Sequence, residues 1–471
     1  MLENPQTAPE AQTQTTGRMG TAPINPLLLK NAIPMMISML VQALYNVVDS
    51  IFVSRVDEAA LSAVSLAFPI QNLLIAFAVG TAIGVNACVS RSLGEQNSAE
   101  ASRAAMNGIF LALCSSVAFI LFGLFGTRAF MQAQTSDPEI LRYGVDYLSI
   151  CTVFCVGCFV QCMLEKLLVS TGRSALAMTS QLIGAVTNIL LDPIFIFGLF
   201  GVPRMEAAGD AVATVAGQFL GAGVALVMNL RLNRDLHLRL RGFRPSGRAI
   251  RRIYAVGLPS IAMNAIGSIM TFGMNTILIS FSSTAVAVFG VYFKLQSFVF
   301  MPIFGLNNGM VSIVSYNYGA RKPDRVTKTI RCALGYAEGI MFLGLLAAQL
   351  APNLLLGIFN ASPDMIGLGV TALRIISLHF LLAGFSIIST AVFQALGQGV
   401  LALWVSLIRQ LCVLLPAAWL LSLTGSVSNI WWAFPIAETV AVVLCALFLR
   451  RINRTVLAPM RAAPAKAAAA V

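Results

Sequence analysis

Three polar residues stand inside stretches that are otherwise apolar. They are Asp49, closing the run Tyr45-Asn46-Val47-Val48-Asp49, and the pair Asn188 and Asp192 in Asn188-Ile189-Leu190-Leu191-Asp192-Pro193. An ionised acid at the centre of a membrane helix costs about 2.5 to 3.5 kcal/mol on insertion scales, so it is rare there unless it faces a cavity or a partner. Asn188 and Asp192 are spaced i, i+4 and share one face of a helix, and Pro193 directly after them withholds a backbone donor and favours a kink. This pattern describes a polar pocket beside a bend. Two carboxylates close together in such a pocket favour holding one proton between them. The implied chemistry is uptake and release of a proton or cation inside a membrane. The plain alternative is an acid that only braces helices through hydrogen bonds, a use to which membrane cores rarely put carboxylates; Asn188 serves equally well as interhelical glue.

The elements that must position these residues are set by composition. Hydrophobic residues make up 58% of the 471-residue chain and charged ones 11%, against roughly 25% charged in a soluble domain, and the mean hydropathy is +0.82. The chain reads as a polytopic membrane protein. Its formal net charge of +12 does not indicate nucleic acid, because the basic residues are spread over short loops between apolar runs. Nine cysteines lie among apolar runs without the spacing of a disulfide framework, so free thiols are expected. There is no Gly-x-x-x-x-Gly-Lys-Ser/Thr loop, which argues against direct driving by ATP.

In chain order, residues 1–26 are polar, rich in Pro, Thr and Gln, and read as a disordered cytoplasmic tail. Twelve apolar segments follow, each long enough for a span of about 20 residues. They lie near 31–54, 60–87, 103–126, 139–169, 175–200, 207–230, 251–281, 285–314, 330–351, 363–395, 401–423 and 429–450. The expected fold is therefore all-α, with twelve transmembrane helices. Residues 27–230 form a first six-helix lobe, 231–252 a basic linker, 253–455 a second lobe and 456–471 a disordered Ala/Pro-rich tail.

Alternate connections carry the basic residues: Arg91 and Arg103, Arg173, the run Arg231 to Arg252, then Arg321, Lys322, Arg325 and Lys328, and finally Arg450 and Arg451. By the positive-inside rule both termini are cytoplasmic, in the plasma or inner membrane of a prokaryote. The chain is also duplicated. A shift of 225 residues places Pro34 on Pro259, Gln71 on Gln296, Gly80 on Gly305, Gly84 on Gly309, Ser90 on Ser315, Gly94 on Gly319, Gly144 on Gly369 and Gly172 on Gly397. With six spans each, the halves have the same topology and should be related by a pseudo-two-fold axis along the membrane normal, with a central cleft between them.

The pattern Pro34, then Leu40-Val41-Gln42-Ala43-Leu44-Tyr45 to Asp49, with Gly80-Thr-Ala-Ile-Gly84 and Ser90-Arg91-Ser-Leu-Gly94, resembles the multidrug and toxic compound extrusion (MATE) family. Asn307-Asn308-Gly309 to Gly319-Ala-Arg321 and Trp432-Ala-Phe-Pro435-Ile-Ala-Glu438 carry the same resemblance in the second half, which in all covers about residues 27–455. It implies alternating-access efflux of organic, often cationic, compounds in exchange for H⁺ or Na⁺. Within the family the chain is similar to the DinF-like branch, whose cation site in the first lobe maps onto Asp49, Asn188 and Asp192. By the same resemblance Tyr147 and Thr214 join that network. The NorM-like branch places acids in the second lobe, and here the chain departs from it: no acid occurs between Tyr254 and Ala320, and the eighth span carries Lys294.

Glu438, Lys294, Gln71 and Gln296 are secondary candidates. Lys294, Arg374 and Arg409 are expected to snorkel to an interface, His379 to be a packing residue, and Glu165 to pair locally with Lys166. Cys151, Cys155, Cys158 and Cys162 share a helical face, but one straight helix cannot converge thiolates on a metal, and close packing is the expectation. No cofactor is expected and H⁺ is the expected coupling ion, with Na⁺ at Asp49, Asn188 and Asp192 as the alternative. The partners are small organic molecules and the bilayer, nucleic acid is excluded, and nothing calls for more than a monomer. Two other functions fit a membrane fold: a flippase for lipid-linked precursors, which would want a cation-lined cleft, and an intramembrane aspartyl protease, whose Gly-x-Gly-Asp context neither Asp49 nor Asp192 has.

Overall fold

In hydrocarbon no water satisfies backbone groups, so an apolar run of this length closes its hydrogen bonds internally as a helix. The computed structural model describes residues 16–54, 58–239, 243–358 and 363–462; the side chains of residues 16, 45–54, 58 and 61 are outside that description. No strand occurs among the described residues. The first half consists of α1 (Ile24–Ser54), α2 (Glu58–Gly94), α3 (Ser98–Phe125), α4 in two pieces (Pro138–Val153 and Val156–Ser170), α5 (Ser174–Phe197) and α6 (Ala207–Leu232). The second half consists of α7 (Gly247–Ile279), α8 (Ser283–Gly319), α9 (Pro323–Leu350) and α10 in two pieces (Pro363–Ser377 and Phe380–Ala395). It ends with α11 (Gly399–Leu407 and Leu415–Ser422, joined by a π-helical segment Ile408–Leu414) and α12 (Ala433–Ile452). Among the described residues, ten helices, or twelve when each bent pair counts as one, are long and apolar enough to cross a membrane. Exposed apolar side chains such as Val186, Leu190, Val227 and Leu343 line the outer surfaces, as a lipid-facing exterior requires.

Helix starts follow local chemistry. Asn97 caps α3 by accepting from the Glu100 amide at 2.9 Å. Asp137 caps α4 by accepting from Glu139 and Ile140 at 2.8 and 3.2 Å, with Pro138 at the first helical position.

The duplication is a three-dimensional symmetry. Ser90 Oγ donates to the Ser170 carbonyl at 3.0 Å, and its counterpart Ser315 donates to the Ala395 carbonyl, the counterpart of Ser170, at 2.8 Å. A Cβ on Gly94 would stand 2.0 Å from the Tyr316 carbonyl oxygen, and one on Gly319 would stand 2.2 Å from that of Arg91, again counterparts. Only glycine allows α2 and α8 to cross this closely. The halves meet through α1 with α8 and α2 with α7, the same pairing exchanged. Both halves also break their fourth helix at matching points. The pieces of α4 meet at 45° around Phe154, and those of α10 at 51° around His379, which stands 225 residues on.

Two expectations about the ends are corrected. Residues 16–26 are not part of a disordered tail: Thr16–Thr21 is a short helix and α1 starts at Ile24. Met19 is buried, and its carbonyl accepts from Asn317 Nδ2 at 3.0 Å and Arg325 Nη2 at 3.1 Å, while Lys322 Nζ donates to the Gly20 carbonyl at 2.9 Å. Partners this distant in sequence left no local signal. At the other end helical structure runs on to Ala462, and Arg461 pairs with Asp324 at 3.2 Å. The tails expected at 1–15 and 463–471 lie outside the described residues.

Candidate functional site

Asn188 and Asp192 lie on the inner face of α5, both buried, with Asp192 fully so. Asn188 Nδ2 donates to Asp192 Oδ1 at 3.2 Å and to Thr214 Oγ1 of α6 at 3.1 Å. The i, i+4 bond is the one that the spacing predicts, whereas the bond to Thr214 joins two helices. It is possible because α6 presents Gly217 to α5, where a Cβ would stand 2.6 Å from the Gly184 carbonyl oxygen and 3.2 Å from Asn188 Cβ. One turn before Thr214 on α6 lies Asp210, which is also fully buried.

Asp210 was not among the sequence candidates. Its signal was the i, i+4 spacing to Thr214. It was masked because an acid at the start of an apolar run, four residues after Glu206, reads as an ordinary first-turn residue that favours the helix N-terminus. The cluster gathers a carboxylate, an amide and a hydroxyl, all offering oxygen, and the buried Asp210 carboxylate lies one turn from that hydroxyl on α6. Asn188 Oδ1 accepts no hydrogen bond among the described residues. An oxygen set of this kind fits a proton or a small hard cation.

Gln71 of α2 and Tyr147 of α4 form a second part of the network, with Gln71 Nε2 donating to the Tyr147 hydroxyl at 2.7 Å and approaching Cys151 Sγ at 3.6 Å. Gln71 thus has a built environment. Its counterpart Gln296 has none of this kind, because Ala372 stands where Tyr147 does in the first half. Lys294 is exposed and makes no hydrogen bond or ion pair among the described residues. The Asp49 side chain lies outside the described residues, although its backbone is part of α1.

Two local expectations change. Glu165 and Lys166 lie within electrostatic reach of each other but form no salt bridge: Glu165 accepts from Gln161 at 3.0 Å and Ser180 at 3.3 Å within the first half. Lys166 Nζ instead crosses to Asn308 Oδ1 of α8 at 2.5 Å, near a second crossing from Ser312 Oγ to Asn86 Oδ1 at 3.1 Å. Successive residues on a helix point about 100° apart, so neighbours in sequence need not share a partner. Arg409 does not snorkel. It pairs with Glu438 at 3.3 Å inside the second half. His379 meets the packing expectation, with Nδ1 donating to the Ile376 carbonyl at 2.5 Å and its ring against Phe300, Phe380 and Phe434. All nine cysteines are free, and Cys155 sits at the α4 break rather than on a straight helix.

This geometry can be set beside known proteins. The MatE family matches residues 34–194 and 259–420, one copy in each half. The chain belongs to the MatE family. Among relatives, the multidrug export protein MepA of Staphylococcus haemolyticus (strain JCSC1435) is 26% identical over 422 residues, covering 89% of this chain and 91% of that protein. A MATE family transporter of the MOP superfamily, solved in an outward-facing conformation, shares the fold with a TM-score of 0.89 at 24% identity, over 96% of this chain and 100% of that one. A MOP superfamily transporter from Pyrococcus furiosus gives a TM-score of 0.87 at 25% identity over 96% of this chain and 100% of that one. As a MatE protein the chain is a multi-pass membrane transporter and not an enzyme.

Proposed function

We propose that this MatE protein exports organic, often cationic, compounds by alternating access, driven by ions that bind the first-half pocket of Asn188, Asp192, Asp210 and Thr214, together with Tyr147, Gln71 and Asp49. The observation that carries this reading is the full burial of Asp192 in the hydrogen-bonded cluster with Asn188 and Thr214, with a second fully buried acid, Asp210, one turn before Thr214 on α6. A carboxyl buried in such a cluster favours uptake of a proton or a small cation. A proton on one carboxyl removes the like-charge repulsion, and the Asn188 amide then redistributes its bonds between Asp192 and Thr214. The bond pattern across α5 and α6 thereby becomes a function of the bound ion. H⁺ is the ion assigned, and the same oxygens would hold Na⁺.

One charge moved through 100 mV supplies about 2.3 kcal/mol, enough for roughly a 50-fold gradient. The similarity to a multidrug export protein supports organic substrates, and the 19 methionines and 29 phenylalanines suit a tolerant, repackable surface between the halves. The protein works as a monomer without cofactor or nucleic acid, of the DinF-like type, with both termini in the cytoplasm.

The test uses purified protein in liposomes loaded with a fluorescent organic cation, under a pH gradient without sodium and then a sodium gradient without ΔpH. Export driven by ΔpH and lost in Asp192→Asn is the expected result. Export driven only by sodium changes the ion, and export under neither gradient moves the protein to the lipid-flippase class.

A further inference from the structure

The core of the second half contains charges that this mechanism does not use. Arg409 Nη1 lies 3.4 Å from Glu438 Oε1 and 3.3 Å from Oε2, with the two side chains 25% and 7% exposed. A single nitrogen straddles the carboxylate at long range; the parallel two-nitrogen fork that makes Arg–carboxylate pairs strong is not formed. Two backbone irregularities converge here. Arg409 sits on the π-helical segment Ile408–Leu414 within α11, and His379 sits at the 51° break of α10. π turns inside α-helices are frequent at functional sites.

Around the pair, Tyr292 of α8 and Trp431, two residues before α12, are fully buried, yet their hydroxyl and indole N–H have no hydrogen-bond partner among the described residues. Phe434, one turn before Glu438, touches both Tyr292 and His379 at 6.0 Å between ring centres. The titratable and charged groups in electrostatic reach of Glu438 are Arg409 from α11, His379 from the α10 break, Tyr292 from α8 and Cys445 from its own helix. The second piece of α10 adds only the hydroxyls of Ser386 and Ser389, and the α-helical pieces of α11 carry no ionisable residue.

We propose that the second half holds its own proton site, in which Glu438 is neutralised either by Arg409, as in this structure, or by a proton when movement at the π-helical segment draws Arg409 away. A buried carboxylate cannot lose its cation without replacement. The step balances: the Arg409–carboxylate contact breaks, hydronium from the solvent delivers a proton that forms one O–H bond on Glu438 and leaves water behind, and return of Arg409 breaks that bond and releases the proton to water as hydronium. The guanidinium stays charged throughout. The long single-nitrogen contact makes the exchange accessible, and the unsatisfied Tyr292 hydroxyl and Trp431 N–H are donors that the rearranged carboxyl can meet. The link to transport rests on the efflux reading above and raises the proton count per cycle by one.

Two measurements test it on the full-length protein. In detergent, Arg409→Met leaves Glu438 without its cation, so relative to wild type its Tm should hold at pH 6 and fall by about 3 to 6 °C by pH 9. Arg409→Met/Glu438→Gln should remove that slope. A deficit in Arg409→Met that is independent of pH overturns the proposal. So does a slope that survives in the double variant and disappears in Arg409→Met/His379→Phe, which would place the proton on the imidazole. In liposomes, Glu438→Gln should lower the limiting accumulation of a fluorescent organic cation about tenfold for each unit of ΔpH, one proton fewer per cycle; an unchanged proton number overturns the coupling. The thermal measurement needs no transport, so failure of the efflux reading leaves it standing. Failure of the Arg409–Glu438 exchange leaves Asp192-dependent export intact.

Discussion

The two halves share a frame and divide their chemistry. Asp49, Tyr147, Asn188, Asp192 and Asp210 of the first half have Met274, Ala372, Val413, Ala417 and Pro435 at the matching positions of the second. Conversely His379, Arg409 and Glu438 face back onto Phe154, Gly184 and Ala213. The paired Ser90 and Ser315 bonds, the Gly94 and Gly319 contacts and the 45° and 51° breaks are present on both sides. What repeats is therefore backbone packing, and what differs is charge. The first half buries acids beside an amide and a hydroxyl, whereas the second pairs its buried acid with a guanidinium. In the proposed mechanism a symmetric frame supplies two equivalent arrangements about one axis, and an asymmetric charge distribution would let an ion gradient favour one of them.

The sharpest way to break this comparison is Asp192→Asn. Gradient-driven export should fall at least about 100-fold while the protein still folds and inserts, because the amide is nearly isosteric and removes the charge. Wild-type rates in liposomes would end the assignment of coupling to the first half. Next are the mirrored glycines. Gly94→Ala and Gly319→Ala each drive a Cβ into a carbonyl oxygen and should cost about 1 to 3 kcal/mol of stability. Thermal unfolding should show similar losses for the two, and a loss in one alone would deny that the halves pack equivalently.

Asp210→Asn should reduce export about tenfold, and Thr214→Ala, which removes one hydrogen bond worth about 1 kcal/mol, about threefold to fivefold. A silent Asp210→Asn would return that residue to a structural role at the α6 start. The smallest effect is expected for Lys294→Ala, within about twofold, since that side chain is exposed and makes no hydrogen bond or ion pair among the described residues. A large loss there would bring the second half into substrate handling.

Some of the site was legible because its logic is local. The Asn188–Asp192 bond follows from i, i+4 spacing on a helix, and an acid within an apolar run announces itself by its cost. Asp210 escaped because its local surroundings resemble an exposed helix start, and only the packing of α6 against its neighbouring helices buries it. Arg409 was misjudged for a related reason. Hydropathy offers a span-borne arginine the interface, and nothing near it in sequence reveals Glu438, 29 residues on.

The sequence by itself determined the membrane class, the all-α fold with its duplicated halves, and the shared face of Asn188 and Asp192. These depend on hydropathy, helical periodicity and comparison of the chain with itself. Tertiary structure alone decided that Thr214 meets Asn188, that Arg409 neutralises Glu438, that Lys166 reaches across to Asn308 and that the carbonyl of Met19 is held by Asn317 and Arg325. Each of these contacts joins residues brought together by helix crossing. The direction of a side chain around its helix limits which partners it can meet, but the crossing itself selects the one it does.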